Sequence, residues 1–194
     1  MLRTVILTLA TLLIAIGGGA ASAWYALQAQ EGIGAVTIGN WTAYPNMGAP
    51  DADPYSKARA AREGVLALGR AEGLVFFSNR DSSGDTLSRK CSYVIEGATP
   101  PARFWTFYAA DRSLAILPGK GKRKPAANSL SLLRNPDNSF TMTIGPDATP
   151  GNWLSVSGEG PMVFVLTFFD TPVSSSAGIA EIALPQVLRT GCHA

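Results

Sequence analysis

Few side chains in this sequence are able to carry out nucleophilic or metal-assisted chemistry. Its one histidine, His193, is the penultimate of 194 residues. Catalytic serines and cysteines are usually activated by a histidine, and catalytic zinc is usually held by one. No nucleophile elbow, phosphate-binding loop, dinucleotide fingerprint or zinc-ligand spacing occurs in the chain. We therefore expect no catalytic residue, no metal site and no cofactor, and we interpret His193 as part of a solvated tail.

The aspartates are the remaining candidates for acid–base chemistry. They lie mostly in predicted turns or at strand ends, at Asp81, Asp85, Asp111, Asp137, Asp147 and Asp170. A glycoside hydrolase needs two carboxylates about 5–10 Å apart across a cleft. A turn aspartate more often accepts hydrogen bonds from its own backbone. A carboxylate-dependent hydrolase acting on envelope carbohydrate is therefore kept as the alternative to a binding protein.

Six residues make up the predicted ligand-binding set, and each also has a structural interpretation. They are Trp105, Trp153, Asp81, Asp111, Lys122 and Arg123. The basic loop at residues 120–124 suits an anionic headgroup or an acidic glycan, although a solvated loop that protects a sheet edge has the same composition. The tryptophans suit stacking on sugar rings, but a sandwich core also requires large aromatic side chains.

The two cysteines, Cys91 and Cys192, are predicted to form a disulfide. A small, even number of cysteines in an oxidising compartment favours a bridge. The alternative is a redox or metal-binding pair, but the sequence has no C-x-x-C motif and no histidine cluster. The bridge would close a loop of about 100 residues, for which chain entropy alone gives about 4.7 kcal/mol of stabilisation.

An N-terminal apolar segment decides on which side of a membrane all of these residues lie. Residues 4–27 carry no charge, and about 20 apolar residues in a helix cross the hydrocarbon core of a bilayer. Arg3 precedes the segment, whereas the first charge after it is Glu31. The positive-inside rule then keeps the N-terminus in the cytoplasm and exports the remainder. We predict a single-pass anchor at residues 1–28 in the bacterial inner membrane, with a periplasmic domain.

A cleaved secretory signal is the alternative to this anchor. Residues 21–23 (ASA) fit a signal-peptidase site. Trp24 and Tyr25 instead resemble the aromatic belt at a membrane interface, and the apolar character continues past the cleavage site to Leu27. These features favour an uncleaved anchor, and both interpretations export the same domain.

The exported part has the composition of one turn-rich domain. Arg3 is one of 16 Lys and Arg residues, so 15 remain against 14 Asp and Glu, and this balance argues against a nucleic-acid partner. Residues 29–50 are predicted to be a linker and edge segment, and residues 51–194 the domain. One helix is expected after Asp53, which suits the N-cap, and Pro54, which suits the first helical position. Gly69 and Gly73 are available to end this helix.

Short apolar or alternating runs separated by turn residues predict the rest of the domain. The strands are expected at residues 73–77, 91–95, 102–109, 113–117, 129–133, 139–144, 152–156, 162–169 and 181–188. Strands at this spacing indicate a mainly β fold. We predict a jelly-roll-like β-sandwich with one short α-helix, preceded by the transmembrane helix.

Five segments in order resemble one protein family: residues 51–55 (DADPY), 91–93 (CSY), 102–105 (ARFW), 150–154 (PGNWL) and 191–192 (GC). Over roughly residues 35–192 the chain resembles small membrane-anchored members of the bacterial DUF1214 family, a domain of unknown function. The resemblance implies a β-rich domain, cysteines at recurring positions and a partner of the DUF1254 type. It supplies no agreed activity and no catalytic residues to carry over to this chain. The stretch at residues 119–124 departs from the family pattern.

The sequence therefore supports three hypotheses. The first is a membrane-anchored periplasmic domain that binds a companion envelope protein or a glycan. The second is the carboxylate-dependent hydrolase, which requires two aspartates facing each other in an aromatic-lined cleft. The third is a purely structural domain, which would have neither an apolar pocket nor an exposed aromatic row.

Overall fold

The computed structural model describes residues 2–28, 34–63, 68–69, 72–119, 126–172 and 182–192. Within them lie two helices, α1 (Leu2–Gln28) and α2 (Pro54–Glu63). The strands are β1 (Val36–Ile38), β2 (Trp41–Ala43), β3 (Gly73–Ser78), β4 (Cys91–Gly97), β5 (Phe104–Ala110), β6 (Ala126–Asn128), β7 (Phe140–Gly145), β8 (Asn152–Ser155), β9 (Val163–Phe169) and β10 (Gln186–Cys192).

The strands form two sheets that face each other. The larger sheet has the order β1-β2-β3-β9-β5-β6, and every neighbouring pair in it is antiparallel. The smaller sheet has the order β10-β4-β7-β8, in which β7 and β8 run parallel. Alternate residues of both sheets enter one shared hydrophobic core, so the prediction of a mainly β sandwich is confirmed.

The centre of the core is formed by β9 and the strands opposite it. Phe164, Leu166 and Phe168 point inward and are at most 1% exposed. The ring of Tyr93 from the smaller sheet meets Phe164 edge-on, with 5.7 Å between the ring centroids. Burying a side chain of this size contributes about 1.5–3 kcal/mol relative to leaving it in water. The apolar run that the sequence shows at residues 162–169 is therefore the middle of the larger sheet.

Helix α2 begins where the sequence predicts. Oδ1 of Asp53 accepts hydrogen bonds from the backbone N–H groups of Tyr55 and Ser56 at 2.9 and 3.0 Å, and Oδ2 accepts one from the Ser56 hydroxyl at 2.6 Å. These bonds satisfy the first free donors of the helix and, led by the Ser56 hydroxyl, lower the pKa of the Asp53 carboxyl. The described helix ends at Glu63, and residues 64–67 of the predicted helix lie outside the described residues.

Two predicted strands are wrong, and side-chain hydrogen bonds explain why. Residues 113–117 form one isolated bridge, between Ala110 and Ile116, because Asp111 organises a turn there. The second wrong strand is the one predicted at residues 129–133. The strand in this region is β6, which ends at Asn128, before the predicted residues. Asn128 at the end of β6 accepts the N–H groups of Leu130 and Ser131, which turns the chain away from the sheet.

The C-terminal strand lies later than predicted, because β10 begins at Gln186 and runs to Cys192. Cys192 is opposite Cys91 at the start of β4, and the two form a disulfide. The predicted bridge is thus confirmed. It joins the last residue of β10, the edge strand of the smaller sheet, to the first residue of the neighbouring strand β4.

Helix α1 is long and apolar enough to cross a bilayer. Its candidate span, Leu2–Leu27, has a mean hydropathy of 2.0, and its side chains are almost all exposed. Contacts with the rest of the chain are made at its C-terminal end. The carbonyl of Ala26 accepts a hydrogen bond from Arg59 at 3.5 Å, and the guanidinium of Arg62 lies 5.4 Å from the ring centroid of Trp24. Helix α2 therefore joins the apolar helix to the sandwich.

Candidate functional site

A cavity of about 760 Å³ lies between the C-terminal end of α1, helix α2 and the outer face of the larger sheet. We call it the arginine cavity, since its charged lining residues are Arg59, Arg62 and Arg112. The other lining residues are Leu27, Thr42, Tyr44, Phe77, Asn79, Thr86, Ser113, Leu114, Pro161, Met162 and Val163. The lining residues that the structure describes therefore combine positive charge with an apolar floor, and none of them is a carboxylate.

The three arginines reach the cavity from two sides. Arg59 and Arg62 are three residues apart on α2, so they share one face of that helix. Arg59 is 9% exposed and holds its guanidinium 4.6 Å from the ring centroid of Tyr44. Arg112 stands across the cavity, in the turn that follows β5, and is exposed. Among the described residues it has no carboxylate partner.

The turn that carries Arg112 is held by Asp111. Oδ1 of Asp111 accepts hydrogen bonds from the Ser113 N–H at 2.8 Å, the Ser113 hydroxyl at 2.7 Å and the Ala115 N–H at 3.1 Å. Within this turn Leu114 adopts a left-handed conformation, with φ of 63°. That conformation costs a residue with a side chain roughly 1–2 kcal/mol, and the hydrogen bonds of Asp111 offset it. The carboxylate predicted to bind a ligand thus shapes the rim of the cavity.

The Ser113 hydroxyl is the main cause of a lowered pKa at Asp111. We expect Ser113→Ala to raise the pKa of Asp111 toward its ordinary value, measured by a ¹³C NMR titration of the side-chain carboxyl. Because the folded-state pKa is lowered, the stability from these bonds is present above the unfolded pKa and is lost as pH falls through the folded one. Asp137, whose pKa is lowered by Ser139, is the matched control and should titrate unchanged. An unchanged pKa at Asp111 would contradict the assignment.

Asp81 lies at a different place, beside a groove of about 640 Å³ between the loop after β3 and the segment before β10. Its side chain is 1% exposed, and Nη2 of Arg189 lies 2.9 Å from Oδ2. The pair is close, but no N–H points straight at this oxygen. Oδ1 accepts the N–H groups of Ser83 and Asp85, both at 3.0 Å. Asp81 therefore fastens its loop to β10.

The two predicted tryptophans lie in different sheets and do not form one platform. Trp105 is 2% exposed and stacks on Phe140 in the core, with 5.4 Å between the ring centroids. Trp153 is half-buried on β8, and its indole N–H donates to the carbonyl of Gly145 at 3.1 Å. On the outer face of β5, Phe104 and Tyr108 are half-buried as well. Burial also raises the pKa of Tyr108.

The structure describes four of the six predicted ligand-binding residues, Trp105, Trp153, Asp81 and Asp111, and these four do not line one common site. Of these four, Asp81 lines the groove and none lines the arginine cavity. Lys122 and Arg123 lie outside the described residues. The described part of the chain also contains no group of three or more His, Cys, Asp or Glu side chains placed to hold a metal ion.

Sequence reasoning missed the arginine cavity. Arg59 and Arg62 have the spacing of ordinary polar residues on an amphipathic helix, and Arg112 sits in a predicted strand-end segment. No signal in the sequence marks these arginines, since Glu63 lies four residues after Arg59, at the spacing of an ordinary helix ion pair. Only the fold places Arg112 across from the helix.

A second exposed feature is the segment at residues 129–134, which we call the leucine loop. Leu130 and Leu133 are 85% and 69% exposed, the two most exposed large hydrophobic side chains of the described residues after α1. The loop backbone is nevertheless well held. Asn152 accepts the N–H of Leu133 and donates to its carbonyl, both at 2.8 Å. The loop thus connects the two sheets and presents two leucines to water.

The described residues form a disulfide-bonded β-sandwich domain that is preceded by a long apolar helix. The chain belongs to the DUF1214 family, described as a protein of unknown function, whose model matches residues 72–173. The family resemblance seen in the sequence is thereby confirmed. A comparison with curated protein sequences finds no match.

The solved structures that are similar to the chain include two uncharacterised proteins. One is the crystal structure of the VPA0106 protein from Vibrio parahaemolyticus, with 19% identity and a TM-score of 0.58, covering 73% of this chain and 36% of that one. The other is a putative uncharacterized protein from Burkholderia cenocepacia, with 14% identity and a TM-score of 0.41, covering 94% of this chain and 52% of that one. The chain thus spans about a third and about half of these two proteins. The first likeness shows the fold alone.

Proposed function

We propose that the protein is a membrane-anchored binding domain of the bacterial cell envelope. In this proposal α1 crosses the inner membrane uncleaved, the sandwich lies in the periplasm, and its partner is a companion envelope protein of the DUF1254 type. The disulfide supports an oxidising compartment, because such bridges persist there and are rare in the cytosol. The observation that carries the choice of a protein partner is the leucine loop.

The leucine loop combines exposed apolar side chains with a fixed backbone, which suits a protein interface. Single exposed leucines are common on soluble proteins. Here two leucines three residues apart are exposed on a backbone that is fixed at both ends, by Asn128 on one side and Asn152 on the other. A fixed loop loses little conformational entropy when a partner covers it, so the apolar area contributes more of its transfer free energy to binding.

The leucine loop also lies at the end of the sandwich that is away from α1. Ser129 at its start is hydrogen-bonded to Trp105 near the beginning of β5, while Arg112 in the arginine cavity follows the end of that strand. Seven residues of extended chain separate the two features by about 20 Å. Since Leu27 of α1 lines the arginine cavity, the leucine loop lies away from the end of the sandwich that α1 joins. A periplasmic protein can reach it there.

The described geometry gives less support to a glycan or to hydrolysis. Trp105 and Phe107 are inside the core, and Phe104 and Tyr108 on the outer face of β5 are half-buried, so this strand offers little platform for a sugar ring. Asp81 is ion-paired and Asp111 holds a turn. Among the described residues that line the cavity and the groove, Asp81 is the one carboxylate, whereas hydrolysis of a glycosidic bond uses a facing pair.

The test is site-specific crosslinking of the full chain in cells of the source bacterium. A photo-crosslinking amino acid at Leu130 is expected to capture a protein with a DUF1254 domain, identified by mass spectrometry. The matched control position is Glu159, whose side chain is 80% exposed on another loop, and it should not capture that protein. Membranes washed in alkaline carbonate should retain the chain at its full mass of 20.3 kDa, as an uncleaved anchor requires.

The double variant Leu130→Ser, Leu133→Ser provides the decisive comparison. It should keep the melting temperature of the parent, since both side chains are exposed, and should lose co-purification of the companion at least tenfold. Undiminished co-purification would place the interface elsewhere. Recovery of a glycan with no protein would overturn the choice of partner.

A further inference from the structure

We propose that the arginine cavity binds the phosphate of a phospholipid headgroup, with the first carbons of the lipid tail against its apolar floor. This inference rests on the proposed placement of α1 in a membrane. It assigns a second ligand to the domain, at the end opposite the leucine loop. Three independent features of the cavity support it: its positive charge, its apolar floor and its position at the C-terminal end of α1.

The charge of the cavity selects an anion. Guanidinium groups bind phosphate oxygens through paired N–H donors and keep their charge at every physiological pH. Arg62 and Arg112 face the cavity from opposite walls, and both are exposed. Beside Arg112, the carboxylate of Asp111 directs Oδ1 into its own turn. A phosphate between the two walls would therefore meet donors on both sides.

The floor of the cavity selects an amphiphile over a free anion. Phe77 and Val163 on the outer face of the larger sheet are half-buried and give the cavity an apolar lining. Inorganic phosphate would gain nothing from this surface. A lipid would bury its glycerol and upper methylene groups there, at about 0.8 kcal/mol for each methylene removed from water.

The position of the cavity at the end of α1 favours a membrane lipid as its ligand. Leu27, the last residue of the candidate span, forms part of the cavity wall. Trp24 and Tyr25, one turn earlier, are exposed aromatic residues of the kind found at headgroup level. A span that ends at Leu27 places the opening of the cavity among the phosphates of the outer leaflet. Arg62, which contacts Trp24, would then face both the cavity and the interface.

Native mass spectrometry of the full chain in a nonionic detergent tests the proposal. Titration with phosphatidylglycerol is expected to give one bound lipid per chain, whereas a neutral galactolipid with the same acyl chains should bind at least tenfold more weakly. Arg112→Gln removes the guanidinium charge on the exposed side of the site. It should weaken phosphatidylglycerol binding by about tenfold, the effect of one charged hydrogen-bonding group. Arg62→Gln is a second variant with the same expected result.

Arg103→Gln is the matched control. Arg103 is 82% exposed and lies just before β5, at the opposite end of that strand from Arg112, so its loss changes net charge but not the cavity. Binding should stay as in the parent. Equal weakening by Arg103→Gln and Arg112→Gln would show nonspecific attraction and overturn the site. Displacement of the lipid by an equal concentration of inorganic phosphate would identify a free-anion site and overturn the lipid assignment.

The two proposals can fail separately. A chain that remains in carbonate-washed membranes and crosslinks to its companion, but does not prefer phosphatidylglycerol, overturns the lipid site alone. A chain released by carbonate overturns the anchor, and with it the reason for a membrane lipid as ligand.

Discussion

Replacing both Cys91 and Cys192 by serine is expected to lower the melting temperature by about 10 °C or more under oxidising conditions. The bridge joins residues 101 positions apart, and a loop of this length corresponds to about 4.7 kcal/mol of stabilisation in the chain-entropy model. For a domain of this size each kcal/mol shifts the melting temperature by roughly 2–4 °C. Differential scanning calorimetry of the parent and the double variant measures the change.

The effect falls on stability rather than on architecture. β10 still pairs with β4 through the register of Val187 with Ile95, and Val187 is completely buried. The disulfide constrains the unfolded chain, so its loss raises the entropy of the unfolded state while the packed state keeps its contacts. The double variant should therefore retain the circular dichroism of the parent at 20 °C.

The parent in a reducing buffer is the control for the cysteine substitutions themselves. Its melting temperature should fall to that of the double variant, because both then lack the bridge. Equal melting temperatures for the oxidised and the reduced parent would contradict a stabilising role for the disulfide.

Features governed by local chemistry could be predicted from the sequence. The start of α2 follows from the hydrogen-bonding reach of Asp53 and the fixed φ of Pro54, both of which act within one turn. The strand at residues 162–169 follows from its continuous apolar run, because a central strand is covered on both faces. The pairing of two cysteines needed only their number and an oxidising compartment.

Other features could not be predicted, because residue type and composition do not show which contacts a side chain makes. The run at residues 113–117 has the composition of a strand, but Asp111 bonds the backbone locally and leaves one bridge. Trp105 has the residue type of a sugar platform, and only its position opposite Phe140 shows that it belongs to the core. The arginine cavity requires α2 and the turn after β5 to face each other across the sheet.

Asp81→Ala is the second substitution expected to have a large effect, at about 2–3 kcal/mol of unfolding free energy. Removing one partner of a buried ion pair costs roughly 3–5 kcal/mol because the other charge is left without compensation. We expect less here because the Arg189 side chain is 28% exposed and water can reach it. The substitution also leaves the N–H groups of Ser83 and Asp85 without their acceptor. Urea unfolding followed by tryptophan fluorescence gives the value.

Asp85→Ala is the matched control within the same loop. Its carboxylate also contacts Arg189, at 3.3 Å, but the side chain is 69% exposed. Water replaces an exposed partner at little cost, so this variant should lose no more than about 0.5 kcal/mol. Equal losses for Asp81→Ala and Asp85→Ala would contradict the view that burial gives the first pair its importance.

A double-mutant cycle separates the ion pair from the turn. Arg189→Gln removes the charge that faces Asp81 but leaves the hydrogen bonds from Ser83 and Asp85 to Oδ1. If the ion pair dominates, the combined variant should lose much less than the sum of the two single losses, with a coupling of about 1 kcal/mol or more. If the turn dominates, the losses should add. Coupling would mean that Asp81 acts chiefly by holding β10, the strand that the disulfide holds at its other end.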